Sequence, residues 1–331
     1  MMLDERKAAI LRAVVQEYIE TAQPVGSGRI AVVPGVEVSS ATVRNEMGAL
    51  EEAGYLVQPH TSAGRIPTDK GYRFFVDLLR SSDVAIDPVD QTQVRDFFMG
   101  VHGELETALS QTSSLLTSLT DWTTVVVGPS VGQATVRTVQ LIDLSSHIAM
   151  VVAVLSNGVI EKRTVEVALE LTPEIVEDAG RRLAQTIEGK TLSELGETAA
   201  EGEPDLLLDA AIAALGAAGR KAELYVGGAS RMASAFEAVE QVREVLSILE
   251  EQIVVVSLIR DVLNRGMRVA IGEETGVGSL AECSLVLAPF SIDGSADGTI
   301  GVLGPTRMDY SQALSAVAVV SQRLERALTE G

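Results

Sequence analysis

Three stretches within the first eighty residues set apolar side chains at three- and four-residue spacing, and no other feature constrains the fold as strongly. Ile10, Leu11, Val14, Val15 and Tyr18 make residues 4–20 an amphipathic helix. QPVGSG (23–28) breaks it, and a short element of poor helix signal, RIAVV, runs up to Pro34 and Gly35. A second full helix opens in VSSATVRNEM (38–47) and runs to Gly54, a suitable C-terminal cap. YLVQ (55–58) reads as a strand and HTSAGRIP (60–67) as a glycine-bearing loop. Thr68 or Asp69 then caps a helix carrying Tyr72, Phe74, Phe75, Val76, Leu78 and Leu79. Helix, short helix, helix, strand and loop is the order of a winged helix-turn-helix.

The helix of residues 39–53 departs from an ordinary surface helix. With Val43 at zero and about 100° per residue, Met47 falls at roughly 40° and Leu50 at roughly 340°, which defines a buried stripe. Ala41 and Asn45 lie opposite, with Thr42 and Arg44 on the flanks, and Ser39 or Ser40 is the N-cap. Small residues let such a face seat deeply in a major groove. Arginine pairs with guanine edges and asparagine with adenine edges, while hydroxyls and helix-end N–H groups take phosphate. The loop that follows holds His60, Thr61, Ser62 and Arg65, and the next helix Lys70 and Arg73, a plausible wing on backbone or minor groove. Taken singly, a small-residue helix start is an ordinary cap and the loop a hairpin tip; the order of elements favours DNA.

The formal charge of −20 taken as a sum opposes that reading, but it is unevenly spread. Residues 1–80 hold nine Lys/Arg against ten Asp/Glu, and the remainder 17 against 36. A DNA-binding surface therefore belongs to the first eighty residues, and the acidic remainder limits non-specific binding.

At 331 residues the chain exceeds one ordinary core, and 46% hydrophobic with 22% charged residues suits globular domains. SSDVAIDPVDQ (81–91) has linker composition. Val94, Phe98, Val101, Leu105, Leu109, Thr112, Leu115 and Leu119 predict a long amphipathic helix, equally suited to a dimer contact or to seating a sheet. TVRTVQLIDL (135–144), HIAMVVAVL (147–155) and VIEKRTVEV (159–167) are strands, the last two joined by an Asn157–Gly158 turn. Thr172 and Pro173 start a helix to about Ile187; others cover roughly Pro204–Gly219 and Ala235–Asn264. ELYVGG (223–228), MRVAIG, SLVLAPF and TIGVLG are strand-like, and a helix through Leu314, Val317, Leu324 and Leu328 closes the chain.

No uninterrupted apolar run reaches membrane-spanning length and no signal-peptide core opens the chain, so a cytoplasmic protein without membrane association is expected. One cysteine, Cys283, and three scattered histidines leave no disulfide and no evident metal centre. Cys283 reads as a small buried hydrophobe. IGEETGVGSL (271–280) and GTIGVLGP (298–305) lack the context of a phosphate loop and read as strand-connecting turns. No catalytic constellation and no cofactor site is apparent, so an enzyme is not expected. A ligand-sensing regulator has no cluster of convergent polar residues in its favour.

PVGSGRIAVVPGVEVSSATVRNEMGALEEAGYLVQPHTSAGRIPTDKGYR resembles the N-terminal domain of the HrcA family of heat-inducible repressors. MRVAIGEET and GTIGVLGPTRMDY are similar to that family's closing segments, so the likeness spans nearly the whole chain. RIAVVPG departs from the polar character usual for the family's second helix. The resemblance implies an α+β multidomain protein: a winged helix-turn-helix (1–80), a linker (81–91), and a GAF-like domain (92–157 and 232–331) interrupted by an inserted dimerising domain (158–231). It also implies a homodimer on the CIRCE inverted repeat of double-stranded DNA upstream of groE and dnaK operons, with activity dependent on the GroEL chaperonin.

Overall fold

The computed structural model describes residues 3–60, 64–80, 88–100, 105–128, 132, 134–156, 158–195, 205–219, 224–231, 236, 239–292 and 295–330. Helix α1 (Glu5–Thr21) is capped by Asp4, whose carboxylate accepts from the Lys7 N–H, and α2 is a single turn (Ser27–Ile30). Helix α3 (Ser40–Glu52) buries Val43, Met47 and Leu50, the stripe predicted from spacing. Strands β1 (Leu56–Val57) and β2 (Ile66–Pro67) pair antiparallel, and α4 (Asp69–Arg80) follows. Thr68 is its cap: the Thr68 hydroxyl accepts from the Gly71 N–H at 3.2 Å. The weak helix signal of RIAVV matches its outcome, since only Ile30 is buried there while Val32 stands 80% exposed beyond the helix end.

Of the stripe expected to form one long helix, Val94 and Phe98 lie on α5 (Pro88–Gly100) and Leu105, Leu109, Thr112, Leu115 and Leu119 on α6 (Leu105–Thr120), while Val101 lies outside the described residues. Of the proposed linker, 81–87 lies outside the described residues and 88–91 opens α5. Helix α6 lies on a sheet and α5 on the C-terminal helix, so this stripe seats a core. That sheet contains β3 (Thr123–Val127), β7 (Leu224–Gly227), β8 (Val269–Ile271), β9 (Cys283–Ile292) and β10 (Ser295–Pro305), in the antiparallel order β7-β3-β10-β9-β8. Its residues alternate between two cores, as strand geometry requires. Val126, Val286, Ile300 and Val302 face α6 and α12 (Tyr310–Glu330), whereas Val125, Val127, Leu285 and Leu287 face α10 (Val239–Glu250) and α11 (Gln252–Asn264). The predicted helix over 235–264 is thus two helices, broken at Glu251. TIGVLG is a strand as its sequence predicts, and GTIGVLGP lies inside β10 rather than forming a turn: Gly301 pairs with Val125 of β3 and Leu287 of β9, and Gly298 and Gly304 pair with β9.

A second sheet is made by β4 (Val136–Ser145), β5 (Ile148–Leu155) and β6 (Ile160–Glu166), in that order. One face is covered by α7 (Pro173–Ile187), α8 (Leu192–Leu195) and α9 (Leu206–Ala218). Thr172 caps α7 with Pro173 in the first turn, as its sequence predicts.

The chain leaves the five-stranded sheet after β3 and returns at β7, which pairs with β3 from Thr124↔Gly227 to Val127↔Leu224. This grouping differs from the expected boundaries of 158–231. Val154 pairs with Ile160 across the hairpin turn, so β4 and β5 belong with β6, and β7 belongs to the larger sheet. A cut at residue 158 would sever a hairpin whose two strands share one core. Residue composition alone does not reveal which strands pair. The first eighty residues are likewise not isolated, since Val43, Tyr72 and Phe75 share one contiguous apolar cluster with Val269, Tyr310 and Leu324.

Candidate nucleic-acid interface

The face of α3 turned away from its stripe is built by the cap. Ser39 Oγ accepts from the Thr42 N–H (3.2 Å) and lies 3.0 Å from Thr42 Oγ1, so both hydroxyls are engaged in starting the helix. Such a cap contributes about 1 kcal/mol and orients the first-turn N–H groups outward. Ser40, Ala41, Arg44 and Asn45 are exposed, and among the described residues no ion pair engages Arg44. The acids of the helix are largely neutralised from outside. Glu46 is paired with Lys7 (3.4 Å) and Arg6 (3.8 Å), and Glu51 with Arg65 (2.8 Å). The exposed face of α3 therefore presents a cation and an amide beside partly neutralised carboxylates.

The loop between β1 and β2 is tied down at its base. Val25 and Arg65 exchange backbone hydrogen bonds of 2.9 and 3.0 Å, which lash the loop to the turn after α1. Gly64 is obligatory here, because a Cβ would stand 2.4 Å from the Val25 carbonyl oxygen. His60 is exposed at the start of the loop, and Thr61 and Ser62 lie outside the described residues.

The three basic residues after the loop have different roles. Arg65 is half-buried, with its Nε on Glu51, and joins the loop to α3. Lys70 is exposed; its ammonium donates to the Ala53 carbonyl at 2.8 Å and sits 4.3 Å above the Tyr55 ring, closing the end of α3. Arg73 is drawn away from the α3 face. Its Nε donates to Glu274 Oε1 (3.0 Å), and one terminal nitrogen donates to the Val269 carbonyl (2.8 Å) and to Glu274 Oε2. Spacing groups Arg73 with Lys70, but the C-terminal domain packs on the other side of α4 and claims it.

Sequence reasoning missed this junction altogether. Asp69 accepts from the Glu273 N–H (3.2 Å), and the rings of Tyr72 and Tyr310 lie 5.9 Å apart. Burial, reinforced by Glu273 and Glu274, raises the Asp69 carboxyl above its usual range despite that hydrogen bond. Burial pushes both tyrosines up as well; Tyr310 donates to the Thr306 carbonyl (2.7 Å) and is 2.7 Å from Ser284 Oγ. A signal was present, since TDKGYR, IGEET and GPTRMDY all contribute to this one contact. Elsewhere, burial holds the Cys283 thiol up at about 12, with Glu282 adding to it, in keeping with a packed hydrophobe. Among the described residues no group of three His, Cys, Asp or Glu could hold a metal ion, and no helix is long and apolar enough to cross a membrane.

Comparison with known proteins agrees in extent with this architecture. A family model described as the HrcA protein C-terminal domain matches residues 106–314. Heat-inducible transcription repressors HrcA from Symbiobacterium thermophilum and Acidothermus cellulolyticus are 36% and 37% identical to the chain, over 98% and 99% of it and 98% and 100% of their own lengths. The repressor of the same name from a Nocardioides species is 35% identical and covers all of both chains. A crystal structure of a hypothetical protein at 2.2 Å shares the fold, with a TM-score of 0.64 at 24% identity over 99% of this chain and 98% of that one. The chain belongs to the HrcA family of heat-inducible transcription repressors.

Proposed function

We propose that this protein represses class I heat-shock operons, groE and dnaK, from the cytoplasm, by binding as a homodimer to the CIRCE inverted repeat. Residues 1–80 act as the winged helix-turn-helix, with α3 entering the major groove and the loop between β1 and β2, within HTSAGRIP, as the wing. The observation that carries this reading is the exposed Arg44–Asn45 pair on a Ser39-capped helix whose opposite stripe is wholly buried. Arg44 and Asn45 read base edges; Ser39, Ser40, Thr42, His60, Thr61, Ser62, Arg65 and Lys70 serve phosphate or groove contacts. Arg73 is not available for this while Glu274 holds it.

The five-stranded sheet with its helices takes the GAF-like role, and the unit between β3 and β7 takes the dimerising one. Supporting the latter, the uncovered face of its sheet carries Ile142 and Ile160, 44% and 53% exposed, paired respectively with Met150 and Val154 of the central strand. An apolar sheet face of this kind is a natural seat for a second copy, and a two-fold dimer matches an inverted repeat. Activity is maintained by the GroEL chaperonin, so heat, by diverting the chaperonin to unfolded clients, empties the operator.

The test is a gel shift on the inverted repeat upstream of this organism's chaperonin genes against a scrambled duplex, with and without GroEL and ATP. Specific binding that grows with chaperonin is expected. Specific binding indifferent to chaperonin would remove the regulatory half, and folded protein without preference for the repeat would remove the whole reading.

A further inference from the structure

The first turn of α4 is gripped from two sides by successive residues. Toward the reading helix, Thr68 Oγ1 donates to the Gly54 carbonyl (2.7 Å) and Lys70 to the Ala53 carbonyl (2.8 Å). Toward the C-terminal domain, Asp69 and Arg73 engage the turn at 272–275, Asp69 through the Glu273 N–H and Arg73 through the Glu274 carboxylate. Glu274 Oε2 also accepts from the Ile271 N–H (2.9 Å), so the carboxylate that takes Arg73 organises its own turn. Gly272, at φ +54°, permits the close approach, since a Cβ there would stand 2.0 Å from Asp69 Oδ2.

This contact carries internal opposition. One guanidinium meets two carboxylates, Glu274 and, at 3.8 Å, Asp77, while Asp69 against the Glu273 N–H adds a further acid to the junction. The body that supplies Glu273 and Glu274 has 36 acids against 17 bases, and docking sets its carboxylates beside a domain that must approach phosphate. Closure withdraws Arg73 as well, one of nine Lys/Arg in residues 1–80. The ionic part of this contact opposes DNA in both ways, which marks it as a switch laid over the apolar packing of Tyr72 against Tyr310.

We infer that the junction of α4 with the 272–275 turn is an autoinhibitory latch. Closed, it withholds Arg73 and presses acidic groups against the DNA-reading domain; open, it releases Arg73 to a backbone phosphate. The inference rests on the DNA-binding reading above and adds the mechanism by which the C-terminal domain governs it.

The test compares full-length wild type, Glu274→Gln, Arg73→Ala and Gly272→Ala on the inverted-repeat duplex across a salt series. Circular dichroism reports folding and small-angle scattering reports compactness. Glu274→Gln keeps the shape and removes the charge; binding tighter by about fivefold or more is expected, the low end for a coupled equilibrium. Its log–log salt slope should steepen by about one unit as Arg73 gains a phosphate, a gain Arg73→Ala cannot make. Gly272→Ala opens the same turn by a different route, a clash with Asp69 rather than a lost charge, and should match Glu274→Gln, with a larger radius of gyration in both. Unchanged or weaker binding by folded Glu274→Gln, while wild type prefers the repeat, overturns the latch and leaves the repressor standing. A wild type without that preference overturns the DNA-binding reading, and the latch with it.

Discussion

Arg44 and Arg73 lie in the same eighty-residue segment, and the fold gives them opposite environments. Arg44 projects from α3 on the face left over once Val43, Met47 and Leu50 have turned inward. Arg73 projects from α4, whose neighbours on that side belong to the C-terminal domain, and Glu274 takes it at once. A count of cations is therefore not a count of available cations. What distinguishes the two positions is the number of domains a helix touches.

Substitutions can break or sharpen that contrast. The largest effect is expected from Leu50→Ala, which removes a fully buried side chain from beneath the exposed face of α3. It should cost about 2–5 kcal/mol of stability, read from the denaturant midpoint. Arg44→Ala and Asn45→Ala should leave stability alone and cost about 1–3 kcal/mol on the operator, with relaxed specificity. Losses equal on operator and random duplex would demote both from base readers to phosphate contacts, and Arg44 would then differ from Arg73 only in access.

Ser39→Ala should lower stability by about 1 kcal/mol, seen in thermal melts, because the Thr42 N–H loses its acceptor. Lys70→Ala is the subtlest. If its ammonium meets phosphate, all duplexes weaken alike and the salt slope falls by about one unit. Loss of stability with an unaltered slope would mean that Lys70 serves the Ala53 carbonyl and Tyr55 alone, and would place it nearer to Arg73 in kind.

Local elements were legible wherever the cause was local. Thr172 followed by Pro173 announces α7, since a side-chain oxygen and a preset backbone angle suffice to start a helix. The HIAMVVAVL and VIEKRTVEV strands, with Gly158 between them, form the expected hairpin. Within the candidate site, spacing was enough to place the buried stripe of α3 and so the exposure of its opposite face. Neither the inserted unit's boundary nor Arg73's partner was legible. β3 finds β7 across the whole intervening unit, and Arg73 finds Glu274 two hundred and one positions away. No periodicity encodes a pairing at that range.

By itself, then, the sequence determined the type of most local elements, the capped helix over 40–52 with its buried stripe and the concentration of acid outside the first eighty residues, because each depends on neighbours a few positions apart or on composition alone. The tertiary structure alone decided that β4 and β5 leave with β6, that Lys70 closes α3, and that TDKGYR, IGEET and GPTRMDY meet at one junction. The physical reason is that desolvation and charge pairing act through space. A side chain's chemistry is written in the chain, but the partner that uses it up arrives only with the fold.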